Sequence, residues 1–166
     1  MKEVRRTPEA GSGARPLDET DLAILRLLAR DGRMSNSALA EEVGIAPSTC
    51  LNRIRHLREQ GVIRGFRADI DPGAVGRPLQ AVVFVRLHRS ARSKIRTFAN
   101  HLADLPGVLN VFVLAGANDF GVHVAVRDSN DLRDFVVGNL SERPEVAGTE
   151  TNLIFQHIVP GRRHEA

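Results

Sequence analysis

Between Leu17 and Gly61 the apolar residues recur every three or four positions, and beyond Leu79 that spacing alternates with stretches in which every second residue is apolar. The chain therefore reads as two halves of different construction. In the first half, Asp18 is placed to cap a helix, with Asp21 at the capping-box position. Leu22, Leu25 and Leu28, with Ile24 beside them, form the stripe expected to be buried, ending at Asp31-Gly32. A second helix is predicted from Ser35 to Ser37 onward, burying Leu39 and Val43 and stopping at Gly44. Pro47 opens a third, because the first turn of a helix does not need the N–H that proline lacks. Cys50, Ile54 and Leu57 fall at i, i+4 and i+7, so they share one face and should pack on the first two helices. That fixes the opposite face: Ser48, Asn52 and Arg55 point outward, Thr49 and His56 stand beside them, and Arg53 lies on the flank. Gly61 suits a left-handed cap, after which Val62-Ile63 is expected to return to the core.

The second half changes period. VIRGFRADID, residues 62–71, predicts a short strand or hairpin, and DPGAVGRP supplies a run of breakers. Val83, Val85 and Leu87 then share one strand face, as do Phe120, Val122, Val124 and Val126. Ile95, Phe98, Ala99, Leu102 and Leu105 form one helical stripe, and Leu132, Phe135, Val136 and Leu140 another. The order strand, helix, strand, strand, helix, strand is the ferredoxin-like βαββαβ plan, with both helices on one face of an antiparallel sheet. The fold expected is thus α+β: a flexible arm over 1–16, a winged helix-turn-helix domain over 17–70, a linker over 71–78, a ferredoxin-like domain over 79–160 and a tail over 161–166. Val82 and Phe84 point to the sheet's other face, which is too apolar for water and calls for a second copy of the chain.

Composition narrows the function classes. With 42% apolar and 26% charged residues the chain is globular, and its net charge of +3 says little alone. Placement says more, because residues 47–67 hold five arginines against one glutamate. A single cysteine excludes an intrachain disulfide or a multi-cysteine metal site, and Cys50 on the buried stripe reads as a small apolar core residue. The opening residues lack the apolar stretch of a secretion signal, and no run of about 18 apolar residues exists to span a bilayer, so a cytoplasmic location without a membrane partner is expected. Arg5 and Arg6 in the arm are candidates for a minor-groove contact, although short charged termini are ordinarily only solvated. The six histidines form no metal-ligand pair at helical spacing, and His123 and His157, expected in strands, read as structural. There is no nucleophile elbow, phosphate-binding loop or dinucleotide fingerprint, so neither catalysis nor a metal or cofactor is expected.

Three short helices with a tight turn before the third match a helix-turn-helix, whose last helix enters the major groove of double-stranded DNA. Such a helix needs an apolar back and a front of small polar residues and arginines, which Ser48, Thr49, Asn52 and Arg55 supply, with Arg53 assigned to backbone phosphate. A plain three-helix bundle with a solvated third helix shares this pattern. From Leu17 to Gly76 the sequence closely resembles the N-terminal region of the leucine-responsive and asparagine-operon regulators, the Lrp/AsnC family, and the resemblance continues to about Val159. It implies a transcription regulator that dimerises through its C-terminal sheets, often assembles into octamers, and responds to an amino acid bound between subunits. AGANDF, residues 115–120, resembles the family's Thr-Gly-x-x-Asp turn at the effector cleft, which makes Ala115, Gly116, Asn118 and Asp119 the effector candidates, with Asp119 suited to an ammonium group. Ala115 replaces the family's threonine, and Ala46 stands where a capping serine is usual. Asn118-Asp119 also suits a simple hairpin turn, and an effector-independent protein that coats DNA is the rival reading.

Overall fold

Asp18 starts the first helix as its spacing from Asp21 predicts: its carboxylate accepts the Asp21 N–H at 2.9 Å while the Asp21 carboxylate accepts the Asp18 N–H at 3.3 Å. The computed structural model describes residues 15–158, so Arg5, Arg6 and the tail over 161–166 lie outside the described residues. The described chain divides into two units, one ending at Asp69 and the other beginning at Ile70.

In the first unit α1 spans Glu19–Arg30, α2 Asn36–Glu42 and α3 Pro47–Glu59. Ser35 caps α2 by accepting the Ala38 N–H, whereas Ala46 enters α3 from extended backbone with no side-chain cap. Ile24, Leu39, Ala40, Cys50 and Leu57 are buried, and Leu25, Leu28, Val43, Ile54 and Ile63 pack around them. The stripe on α1 differs from expectation at one end. Leu22 is exposed and the inward place one residue earlier belongs to Asp21, which is buried. The arc centred on Ile24 takes in positions three before and four after it, and leaves position 22 on the flank. Gly61 adopts φ 71°, and Ile63 then donates to Leu57 O at 3.0 Å and packs on the core, while Val62 stays outside.

The strand or hairpin expected over 62–71 does not form, so this half carries no wing among the described residues. Nearly every residue there is exposed on both sides and no neighbouring strand is available to pair with it. Phe66 instead lays its ring against Gly32, where an added Cβ would come within 3.4 Å. A 3-10 turn over Gly73–Val75 falls within the expected linker.

The second unit follows the βαββαβ order: β1 Leu79–Leu87, α4 Ile95–Asp104, β2 Val108–Val113, β3 Phe120–Val126, α5 Ser129–Val136 and β4 Val146–Leu153. The strands pair antiparallel in the order β2-β3-β1-β4, with Val83 opposite Val122 and Val85 opposite Phe120. Ala81, Val83, Val85 and Leu87 of β1 and Phe120, Val122 and Val124 of β3 form the floor of the core, covered by Phe98, Leu102, Leu132 and Phe135. The second helical stripe continues past α5 through a wide turn over Val137–Ser141, where Glu142 donates to Val137 O at 3.1 Å; this extra residue per turn returns Leu140 to the core. His157 lies beyond β4 rather than within it, because the ladder ends at Leu153. On the open sheet face Val82 and Phe84 are half-buried and Phe112 is exposed, with Gly121 between the two phenylalanines in the ladder.

Candidate nucleic-acid interface and effector turn

The back of α3 is fixed by Cys50 and Leu57, fully buried at a spacing of seven residues, and burial pushes the Cys50 thiol pKa up, leaving it a neutral core group. Helical winding then brings Ser48, Thr49, Asn52 and Arg55 together on the outer surface, where all four are exposed. The Asn36 side-chain amide donates to Pro47 O at 2.8 Å, tying the start of α2 to the first turn of α3. At the far end of α3, Arg55, Arg58 and Arg64 border a shallow cleft with Glu59 and Ile63. Its charge suits phosphate oxygens.

Arg53 is the exception among the expected DNA residues. It is not free on the flank: Nη1 donates to Asp18 Oδ1 at 2.9 Å, to Asp18 Oδ2 at 2.8 Å and to Asp21 Oδ1 at 2.7 Å. Arg15, which the sequence places in the arm, completes the group by donating to Asp21 Oδ2 at 2.8 Å. A buried carboxylate must be paired, and the inward turn of Asp21 recruits both guanidiniums. The Asp21 N–H and the Arg53 guanidinium hold the Asp18 carboxyl down to about pKa 2. For Asp21, burial pushes upward, but its bonds from Arg53 and Arg15 outweigh it and leave the group below the usual range; Arg53 is held correspondingly higher. The network couples the orientation of α3 to the start of α1.

In the second unit the turn between β2 and β3 exposes Ala115 and Gly116, the latter at φ 138°, and half-buries Asn118. Asp119 is buried and already engaged. Its Oδ2 accepts the Leu87 N–H at 2.8 Å, and its Oδ1 lies 3.2 Å from Arg92 Nε. Its own N–H donates to Val85 O and its carbonyl accepts from Leu114. The open carboxylate expected for an ammonium group is thus one that ties the hairpin to β1 and to Arg92.

One polar group is not apparent from the sequence. His123, on the open face of β3, lies 3.0 Å through Nε2 from Gln80 Oε1 and 3.4 Å through Nδ1 from the Asn110 amide, and His157 meets its ring edge-on at 5.8 Å between centroids. Burial, and secondarily His157, lowers the His123 pKa. Gln80 and Asn110 lie 43 and 13 positions from His123 and reach it through strand pairing, so periodicity alone gives no sign of the group. Among the described residues no group of three or more histidine, cysteine or acidic side chains is placed to hold a metal, and no helix is long and apolar enough to cross a membrane.

Comparison with known proteins fits both halves. Residues 17–64 match the model of a winged helix-turn-helix DNA-binding domain and residues 80–163 that of the Lrp/AsnC ligand-binding domain. The chain is 57% identical to the HTH-type transcriptional regulator AldR of Mycolicibacterium smegmatis over 87% of its own length and 85% of that protein's. Its fold superposes on the crystal structure of the Mycobacterium tuberculosis AldR with a TM-score of 0.74 at 50% identity, covering 89% of this chain and 99% of the other. A transcriptional regulator from Neisseria meningitidis, solved as a complex with L-Met, gives a TM-score of 0.78 at 32% identity over 87% and 93% of the two chains. These relatives are named as regulators rather than enzymes. With a DNA-binding helix-turn-helix followed by a ligand-binding antiparallel α+β domain, the chain belongs to the Lrp/AsnC family of transcriptional regulators.

Proposed function

We propose that this regulator reads a specific operator through Ser48, Thr49, Asn52 and Arg55, and that an amino acid bound between C-terminal units of a homodimer or larger assembly adjusts that reading. The observation carrying the first part is the exposure of these four side chains above a fully buried Cys50 and Leu57. Arg55 is suited to the paired acceptors of a guanine edge, Asn52 to adenine, and Arg58 and Arg64 to backbone phosphate. Arg53 acts as a positioning residue through Asp18 and Asp21. Two-fold symmetry sets the half-sites about 34 Å apart.

The L-Met complex of the Neisseria relative supports an amino acid as the effector class. The ligand shifts DNA affinity only if it prefers one assembly, or one spacing of the paired helices, over another. The engaged state of Asp119 and the alanine at position 115 favour the rival reading, a DNA-coating protein that needs no effector. Calorimetric titration with the twenty amino acids separates them. A saturable heat that disappears in Asp119→Asn, which keeps an acceptor for Leu87 but loses the charge, supports the sensor; silence from all twenty assigns the protein to the rival.

For the DNA half, Arg55→Ala is expected to cost about 1–3 kcal/mol of discrimination between operator and altered duplexes. Fluorescence anisotropy with single-base operator variants measures this. Unchanged ratios in the variant would remove Arg55 from the reading set.

A further inference from the structure

A second concentration of charge lies outside the helix-turn-helix. Between residues 86 and 96 stand Arg86, Arg89, Arg92, Lys94 and Arg96, with His88 among them and no carboxylate. All are exposed, on the end of β1, the 3-10 stretch Arg89–Lys94 and the first turn of α4. Arg92 is the one held, by Asp119. Arg86, Arg89, Lys94 and Arg96 form no ion pair among the described residues.

Stability does not explain the arrangement. The start of a helix carries partial positive charge and normally draws acidic side chains and a capping oxygen. Here Lys94 occupies the cap position without a side-chain bond, the first turn has no acid, and Arg96 adds another cation. Like charges gathered on the positive end of α4 add nothing to folding stability, and being exposed they are free to meet an anionic partner. In the same unit Asp131, Asp134 and Glu145 are each held by an arginine, while Glu142 and Glu150 form no ion pair among the described residues, so a second copy of the chain is the occupant against which DNA has to be tested. Duplex DNA, which the same chain binds through its other unit, carries one negative charge per about 1.7 Å of axis and accepts such a patch without regard to base sequence.

We propose that Arg89, Lys94 and Arg96 form a second, sequence-independent contact surface for the DNA backbone. This rests on the DNA-binding reading of the first unit and adds phosphate contacts to it, consistent with arginines and lysines that position rather than specify. Four-fold changes in salt make the contribution measurable, because each phosphate contact adds about 0.9 to the slope of log affinity against log salt.

The test uses the full chain, with Arg89, Lys94 and Arg96 all changed to Gln, titrated by anisotropy against operator and scrambled duplexes over a range of NaCl. The expected result is a slope flattened by about 2–3, affinity for both duplexes lowered together by on the order of tenfold, and a thermal midpoint unchanged or raised. The charge-keeping variant Arg89→Lys with Arg96→Lys should retain the original slope. A triple variant that folds and binds with the original slope overturns the proposal and leaves the operator-reading helix standing. Loss of self-association in sedimentation with the slope intact also overturns it, assigning the patch to contacts between copies. Failure of the unaltered protein to bind any duplex removes the reading on which it rests, and the proposal with it.

Discussion

Asp21 and Arg53 illustrate how one inward turn of a side chain redirects two others. The buried Asp21 carboxylate collects Arg53 and Arg15, so the arginine that sequence alone assigns to phosphate becomes a strut between α1 and α3. Replacing Arg53 by Ala leaves Asp21 buried with a bond missing, for which about 1–3 kcal/mol of stability loss is expected by urea titration. Operator affinity should fall as α3 loses its set angle, yet the salt slope should stay constant, because no phosphate contact is removed. A slope reduced by about one would instead place Arg53 on the backbone. The capping box at Asp18 and the buried Cys50 were legible from spacing, since both depend on neighbours within seven residues. The engagement of Arg53 was not, because its partners lie 32 and 35 residues away on another helix.

At the scale of elements, α3 is well placed but weakly started. Ala46 holds the extended backbone of a cap residue, φ −64° and ψ 142°, without an oxygen to offer the first-turn N–H groups. Ala46→Ser should therefore stabilise the first unit by about 0.5–1 kcal/mol in thermal or chemical melts, with no change in which bases are preferred. A loss of stability would mean that the serine hydroxyl cannot reach those N–H groups. The helices and strands themselves follow the apolar periods closely, as Val83, Val85, Phe120 and Val122 make plain. The missing wing over 62–71 has a different origin: alternation in VIRGFRADID favours a strand, but a strand needs a partner, and partner availability is a tertiary property. The same limit hides the His123, Gln80 and Asn110 group, which strand pairing alone assembles.

For the whole molecule, acid should act in two stages. Below about pH 6.5 the unfolded chain takes up a proton at His123 that the folded chain resists, so the stability of the second unit should fall as pH drops through that value. His123→Gln should flatten this limb of a stability-versus-pH profile; an unchanged limb would point to another group. The first unit behaves differently, because the lowered Asp18 and Asp21 pKa values contribute stability that is complete above about pH 4 and is lost only as pH falls toward 2. Circular dichroism of the full chain against pH, read with the two variants Asp18→Asn and His123→Gln, resolves the stages.

The two hydrophobic clusters have no side chain in common: five buried residues centre the first and sixteen the second. Heating such a chain should not be a single all-or-none event, and calorimetry should resolve more than one transition. The end with the smaller oily interior should come apart sooner, leaving warm samples able to take up a metabolite after they have stopped gripping chromosomes. A regulator of that build would let go of its operators under heat without any signal molecule changing concentration.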